Sequence, residues 1–138
     1  MILDTLKLRS YRNLESIDLT WNNHFNVIYG ENAQGKTNLL EAIYLLGHLK
    51  SFRGARGQDL INHTAETAFI SAMVNKGNVA HKLDIGLQKA GRNPRVDGKT
   101  VKKLSEFLGY LRSVLFTPEE LGNIKGFPAG RRALLDRA

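Results

Sequence analysis

Residues 30–37 read Gly30-Glu31-Asn32-Ala33-Gln34-Gly35-Lys36-Thr37, a complete G-x-x-x-x-G-K-[ST] phosphate-binding loop. No other segment constrains the fold as tightly, because this motif works only in one setting. A triphosphate needs several donors converging on its oxygens. Successive backbone N–H groups curled into a nest supply them, together with the positive end of a following helix. The loop must therefore join a strand to a helix. Gly30 and Gly35 permit backbone angles and a close phosphate approach that a Cβ would hinder. Lys36 can reach the β- and γ-phosphates, and the Thr37 hydroxyl can hold Mg²⁺.

Both flanks suit that setting. Residues 25–29 are a short apolar run rich in strand formers. Residues 37–46 read as a helix, with Leu39, Ile43 and Leu46 at i, i+4 and i+7 and Leu40, Ala42 and Leu45 beside them. A helix apolar nearly all round is expected to be buried, and Gly47 is placed to end it. Before the loop, residues 2–9 read as a strand, 11–14 as a turn and 15–20 as a half-buried strand, with Ile17 and Leu19 against Ser16 and Asp18. Residues 21–24 are a polar connection. An antiparallel ribbon thus precedes the strand of the loop.

Beyond the helix, residues 50–58 form a basic, glycine-containing loop, and 58–62 fit one helical turn. Residues 68–74 and 81–88 read as strands joined by a hairpin at 75–78. Asp97-Gly98 is a two-residue hairpin signal. Leu104, Phe107, Leu108 and Leu111 have helical spacing, and 114–116 is a compact apolar strand. Thr117, Pro118 and Glu120 suit N-cap, N1 and N3 of a further helix, which Gly126 and Pro128 would end. Residues 130–138 look like a helix cut off after two turns. The expected organisation is one α/β (α+β) lobe over 1–128 and the start of a helical arm at 129–138, the N-terminal piece of a longer protein.

Composition narrows the chemistry. The 138 residues are 42% hydrophobic, enough for a core of one domain or one lobe. With no cysteine there is no disulfide, no thiolate catalysis and no cysteine-bound metal. His24, His48, His63 and His81 lack metal-ligand spacing. No apolar run approaches the roughly 18–20 residues of a membrane span. The N-terminus has no signal-peptide pattern, so a cytoplasmic location is expected. Twenty Lys and Arg against thirteen Asp and Glu give a net charge of +7. That favours polyanionic partners such as nucleic acid, although a merely soluble basic surface gives the same balance. Lys102, Lys103, Arg131, Arg132 and Arg137 could meet DNA phosphate. Without interleaved aromatics, such contact is expected to be sequence-independent and salt-sensitive.

Four segments together resemble the RecF family, bacterial recombination-repair ATPases of the ABC type related to the SMC proteins. Residues 30–46 resemble its P-loop and helix, and 6–14 its opening strand and turn. Residues 51–61 resemble its arginine-containing loop. Residues 114–121 with 130–136 resemble its strand, capped helix and the start of the arm. The P-loop alone is generic; the four in order are specific. The resemblance implies the N-terminal lobe of an ABC-type P-loop ATPase head, a mixed sheet with an antiparallel ribbon around the P-loop helix. It implies ATP and Mg²⁺ as cofactors, ATP-dependent DNA binding and homodimerisation, and help with recombinase loading at gaps alongside recombination mediator proteins. Gly30 to Thr37 would cradle the phosphates. Arg12 and Asn13 match a turn beside the nucleotide, and read equally well as an exposed turn. Arg53 and Arg56 match a loop that could touch nucleotide or DNA phosphate, and solvated loop charge is the plain alternative.

The chain lacks a Ser-Gly-Gly signature and an apolar strand ending in Asp-Glu. In the family both lie beyond residue 138. Without that carboxylate, Mg²⁺ has an incomplete shell and the attacking water has no base, so the 138 residues alone are expected not to turn over ATP. Two other classes stay open. A small P-loop kinase or GTPase is disfavoured by the antiparallel ribbon, the lack of a Walker B strand and, for a GTPase, the lack of N-K-x-D. A non-catalytic docking fragment would show no response to nucleotide.

Overall fold

In the computed structural model, residues 1–117 are described. The opening residues pair as expected: β1 (Ile2–Tyr11) and β2 (Leu14–Thr20) form an antiparallel hairpin with Leu6 opposite Leu19 and Leu8 opposite Ile17. β3 (Thr67–Lys76) lies on the other side of β1. β4 (Val79–Gln88), β5 (Gly91–Val96) and β6 (Lys99–Thr100) follow in turn. The six strands run in the order β2-β1-β3-β4-β5-β6, and every pairing is antiparallel. Asp97 and Gly98 take positive φ values of 50° and 79°, the left-handed pair that a tight hairpin of native twist requires.

Alternation sorts the two faces of the sheet. Leu6, Leu8, Ile70, Ala72, Leu83, Ile85 and Leu87 are buried on one face. There they join Leu39, Ala42, Leu45 and Leu46 of α1 (Lys36–His48) in a single core. The opposite face carries a cross-sheet row of Asp18, Lys7, Ser71, Asp84 and Arg95 in register. One face therefore holds the helix, and the other is polar.

Several expectations change. The segment over 25–29 forms no strand: Phe25, Val27 and Tyr29 are exposed. Asn26 instead bonds back to the Asn22 backbone in both directions (2.8 Å each), and His24 N–H donates to Asn22 Oδ1. Asparagine side chains here supply the partners that a ladder would otherwise provide. Burial of α1 is one-sided, with Leu40 left exposed. Gly47 does not end the helix, which continues to His48 and closes on Leu49 in the left-handed region (φ 52°). Arg92 of β5 donates to the Leu49 carbonyl and helps finish that end. Gly47 serves packing: a Cβ there would lie 2.8 Å from Ser113 Oγ and 3.1 Å from the Leu111 carbonyl.

The helical turn expected at 58–62 is a 3₁₀ turn over Gly57–Leu60. The stripe at 104–111 yields only α2 (Leu104–Phe107), which buries Phe107 and leaves Leu104 exposed. Residues 114–116 are not a strand, and Val114 and Phe116 face solvent. The capped helix, the 128/129 boundary, the arm at 130–138 and Arg131, Arg132 and Arg137 lie outside the described residues.

Candidate nucleotide-binding site

The phosphate loop enters α1 without a side-chain cap. Gly35 is the N-cap residue, its φ of 96° and ψ of 8° are left-handed, and no acidic side chain lies in the first turn. The first N–H groups of the helix therefore keep their capacity for an anion. Gly30 (φ 145°) and Ala33 (φ 66°) also have positive φ, which curls the loop into a concave run of backbone. Ala33 holds this conformation despite its Cβ, a local strain of the kind found where backbone shape is set by use.

Asn32, Ala33, Gly35, Lys36, Thr37, Asn38 and Arg53 line a cavity of about 170 Å³ at the loop. Small-molecule sites are typically about 300–1,000 Å³. This cavity therefore suits a phosphate chain rather than a whole nucleotide. The Lys36 ammonium folds over the loop and donates to the carbonyls of Gly30 (2.7 Å) and Glu31 (2.5 Å). An incoming anion would compete with those two carbonyls for the same charge.

The turn between β1 and β2 presses against this loop. Asn13 Nδ2 donates to the Ala33 carbonyl (2.8 Å), and Asn38 Nδ2 of α1 donates to Asn13 Oδ1 (2.7 Å). A Cβ on Gly35 would meet Leu14 Cδ2 at 2.5 Å and Asn13 Oδ1 at 2.9 Å. Glycine at 35 is thus required by the turn as well as by its own backbone angles.

Behind the turn lies a buried carboxylate that the sequence reading did not single out. Glu41 is fully buried. Arg12 grips it with two prongs: Nε donates to Oε2 and Nη2 to Oε1, both at 2.9 Å. Ser51 Oγ donates to Oε1 (2.5 Å), and Arg53 Nη1 stands 3.9 Å from Oε2. Burial pushes the Glu41 carboxyl up, but the hydrogen bonds from Arg12 and Ser51 and the two arginine charges outweigh it and hold it below the usual glutamate range. For Arg12, burial acts downward and the Glu41 bonds act upward, with a net rise. Burial, with Glu41 alongside, raises the neighbouring Tyr11 hydroxyl far above its ordinary value. The available signal for Glu41 was its place: a lone acid four residues after Thr37, set among Leu39, Leu40, Ala42 and Ile43.

Arg12 and Arg53 converge on one carboxylate, whereas Arg56 stands apart. Arg53 also donates to Asn38 Oδ1 (2.9 Å) and reaches the loop cavity. Arg56 is exposed at the start of the 3₁₀ turn, where its backbone N–H donates to Asp59 (2.8 Å). Glu31 and Gln34 are exposed on the loop. Among the described residues no group of three His, Asp or Glu is arranged to hold a metal; Thr37 is exposed in the first turn of α1 and lines the cavity.

This loop, turn and sheet have known counterparts. The family model described as RecF/RecN/SMC N terminal domain matches residues 2–123. The chain belongs to that family. It is 46% identical over 138 residues to the DNA replication and repair protein RecF of Citrifermentans bemidjiense, covering all of this chain and 38% of that protein. It is 42% identical over 136 residues to RecF of Lacticaseibacillus casei, covering 99% and 37%. Among solved structures, it superposes on the recombination mediator protein RecF bound to ATPrS with a TM-score of 0.86 at 36% identity, over 97% of this chain and 37% of that one. An SMC head domain from Thermotoga maritima shares the fold at a TM-score of 0.59 and 20% identity, over 77% and 40%. The chain spans less than two-fifths of the length of the RecF relatives. Its fold is that of the N-terminal lobe of a RecF or SMC head.

Proposed function

We propose that this chain is the ATP-binding lobe of a RecF-like DNA repair and replication protein. The observation that carries the reading is the uncapped, left-handed entry to α1, where Lys36, Thr37 and Arg53 face one small cavity. Its size suits a triphosphate tail, and its donors suit that tail's charge. Two RecF relatives of known structure are described with ATP or ATPrS, and they superpose on 97–98% of this chain.

Within that reading the roles follow from position. The backbone from Gly30 through Glu31, Asn32, Ala33, Gln34 and Gly35 would wrap the phosphates. Lys36 would leave the Gly30 and Glu31 carbonyls for the β- and γ-phosphates. The Thr37 hydroxyl would hold Mg²⁺, which bridges phosphate oxygens and neutralises their charge when bound. Asn13 would fix the loop from outside through the Ala33 carbonyl. Arg53 would face nucleotide phosphate rather than DNA alone, and Arg12 would act from behind, through Glu41. These residues are proposed to bind nucleotide, with the lining of the cavity supplying donors to phosphate.

DNA is the second part of the proposal, and the net charge of +7 supports a polyanionic partner. ATP-dependent pairing of two heads, a role beside recombination mediators at gaps and a cytoplasmic location belong to the same reading. Among the described residues no helix is long and apolar enough to cross a membrane. The experiment is binding of a short duplex by the full-length protein at two salt concentrations, with and without ATP. The expected result is tighter binding with ATP and a steep loss with salt. Retention indifferent to both nucleotide and salt would count against the proposal and favour a docking role.

A further inference from the structure

Glu41 lies outside the lining of the phosphate cavity, yet the two segments that flank the cavity, the Arg12–Leu14 turn and the loop that carries Arg53, are both tied to it. It sits one helical turn after Thr37 on α1, fully buried, and receives both prongs of Arg12. Arg12 is not glycine but has a φ of 55°, so its backbone is strained and needs an external hold. The next two residues, Asn13 and Leu14, are those that press on Gly35 and bond the Ala33 carbonyl. On its other side Glu41 takes the Ser51 hydroxyl at the base of the loop that carries Arg53.

We propose that Glu41 is a positioning residue for the phosphate loop. It anchors the Arg12–Leu14 turn so that Asn13 and Leu14 hold residues 33–35 in their binding shape before nucleotide arrives. This rests on the loop being an ATP site, as argued above. The carboxylate is what makes the anchor strong. A buried, two-pronged arginine–carboxylate pair is rigid, and its planar geometry fixes direction as well as distance. A pre-shaped loop then avoids the ordering cost that a loose one meets on binding.

Charge and position make opposite predictions, which gives the idea a sharp test. Glu41→Gln removes a negative charge beside two arginines. If charge alone mattered, the site would become more positive and hold ATP more tightly. If Glu41 positions the loop, ATP binds more weakly, by about tenfold, the loss expected from one charge-assisted hydrogen bond.

The measurement is titration of the full-length protein with a fluorescent ATP analogue, paired with amide hydrogen exchange in the absence of nucleotide. For Glu41→Gln the expected result is weaker binding, with faster exchange at 31–35 and unchanged exchange in β3 and β4. Arg12→Lys keeps the charge and gives up the two-pronged bond. It should reproduce the effect, and the double variant should be no worse than the weaker single one. If Glu41→Gln does not fold, Arg12→Lys alone decides the matter. Unchanged or tighter binding in the variant that folds overturns the proposal while leaving the ATP site standing. So does faster exchange spread evenly over the sheet. An unmodified protein that fails to bind the analogue removes both.

Discussion

With its side chain wholly out of solvent, Glu41 would ordinarily keep its proton to a higher pH. Arg12 and Ser51 reverse that. The sign of the consequence is fixed: a carboxyl held low in the fold stabilises the protein above its unfolded value of about 4.3, and that contribution is lost as pH falls through the folded value. Urea midpoints measured from pH 7 down to pH 3 should therefore drop steeply below about pH 4.5. In Glu41→Gln the midpoints should start lower, corresponding to a loss of roughly 1–3 kcal/mol in unfolding free energy at neutral pH, and fall less. Parallel curves for the two proteins would show that the carboxylate is not held as described. Asp97 is also held low, chiefly by its hydrogen bond with His81, and contributes an acid slope common to both proteins.

At the scale of elements, α1 is held at both ends by neighbours in addition to its own left-handed cap at Leu49. Its start is held by the β1–β2 turn, its end by Arg92, and its last turn by the 111–113 segment. Gly47→Ala tests the last of these. Alanine should gain about 1 kcal/mol of helix propensity at an interior position. The new Cβ would stand 3.1 Å from a backbone carbonyl, and overpacking of this kind costs about 1–3 kcal/mol. Thermal unfolding should show a net loss of about 1 kcal/mol; a gain in stability would mean that the close approach is absent. The same elements explain what could be read in advance. The first four long strands, α1 and the Asp97-Gly98 turn declared themselves through alternation, helical spacing and left-handed turn residues, all local signals. Residues 25–29 have strand composition and no strand, because a ladder needs a neighbour and none of the described strands takes that place. Residues 104–111 have a helical stripe and only one turn of helix, because only Phe107 and Leu111 of that stripe find cover. The Gly30–Thr37 loop was legible because its chemistry demands a contiguous motif. The Glu41–Arg12–Ser51 cluster was not, since its members are brought together from positions 41, 12 and 51 by the fold.

For the whole molecule, the sheet separates two tasks. One face packs α1 and so fixes where the phosphate loop begins. The other presents the polar row through Lys7, Ser71, Asp84 and Arg95 and takes no part in the cavity. A lobe built this way brings Lys36, Thr37 and Arg53 to one small opening while spanning only 38% of its RecF relatives' length. The central claim is that this opening takes the triphosphate of ATP. Calorimetric titration of ATP with Mg²⁺ into the full-length protein, beside Lys36→Ala, tests it most directly. The account predicts saturable binding at one site per chain, lost or weakened at least about tenfold in Lys36→Ala, as expected when a charge-assisted contact to phosphate is removed. Absence of binding in the unmodified protein, or equal binding in Lys36→Ala, would contradict it.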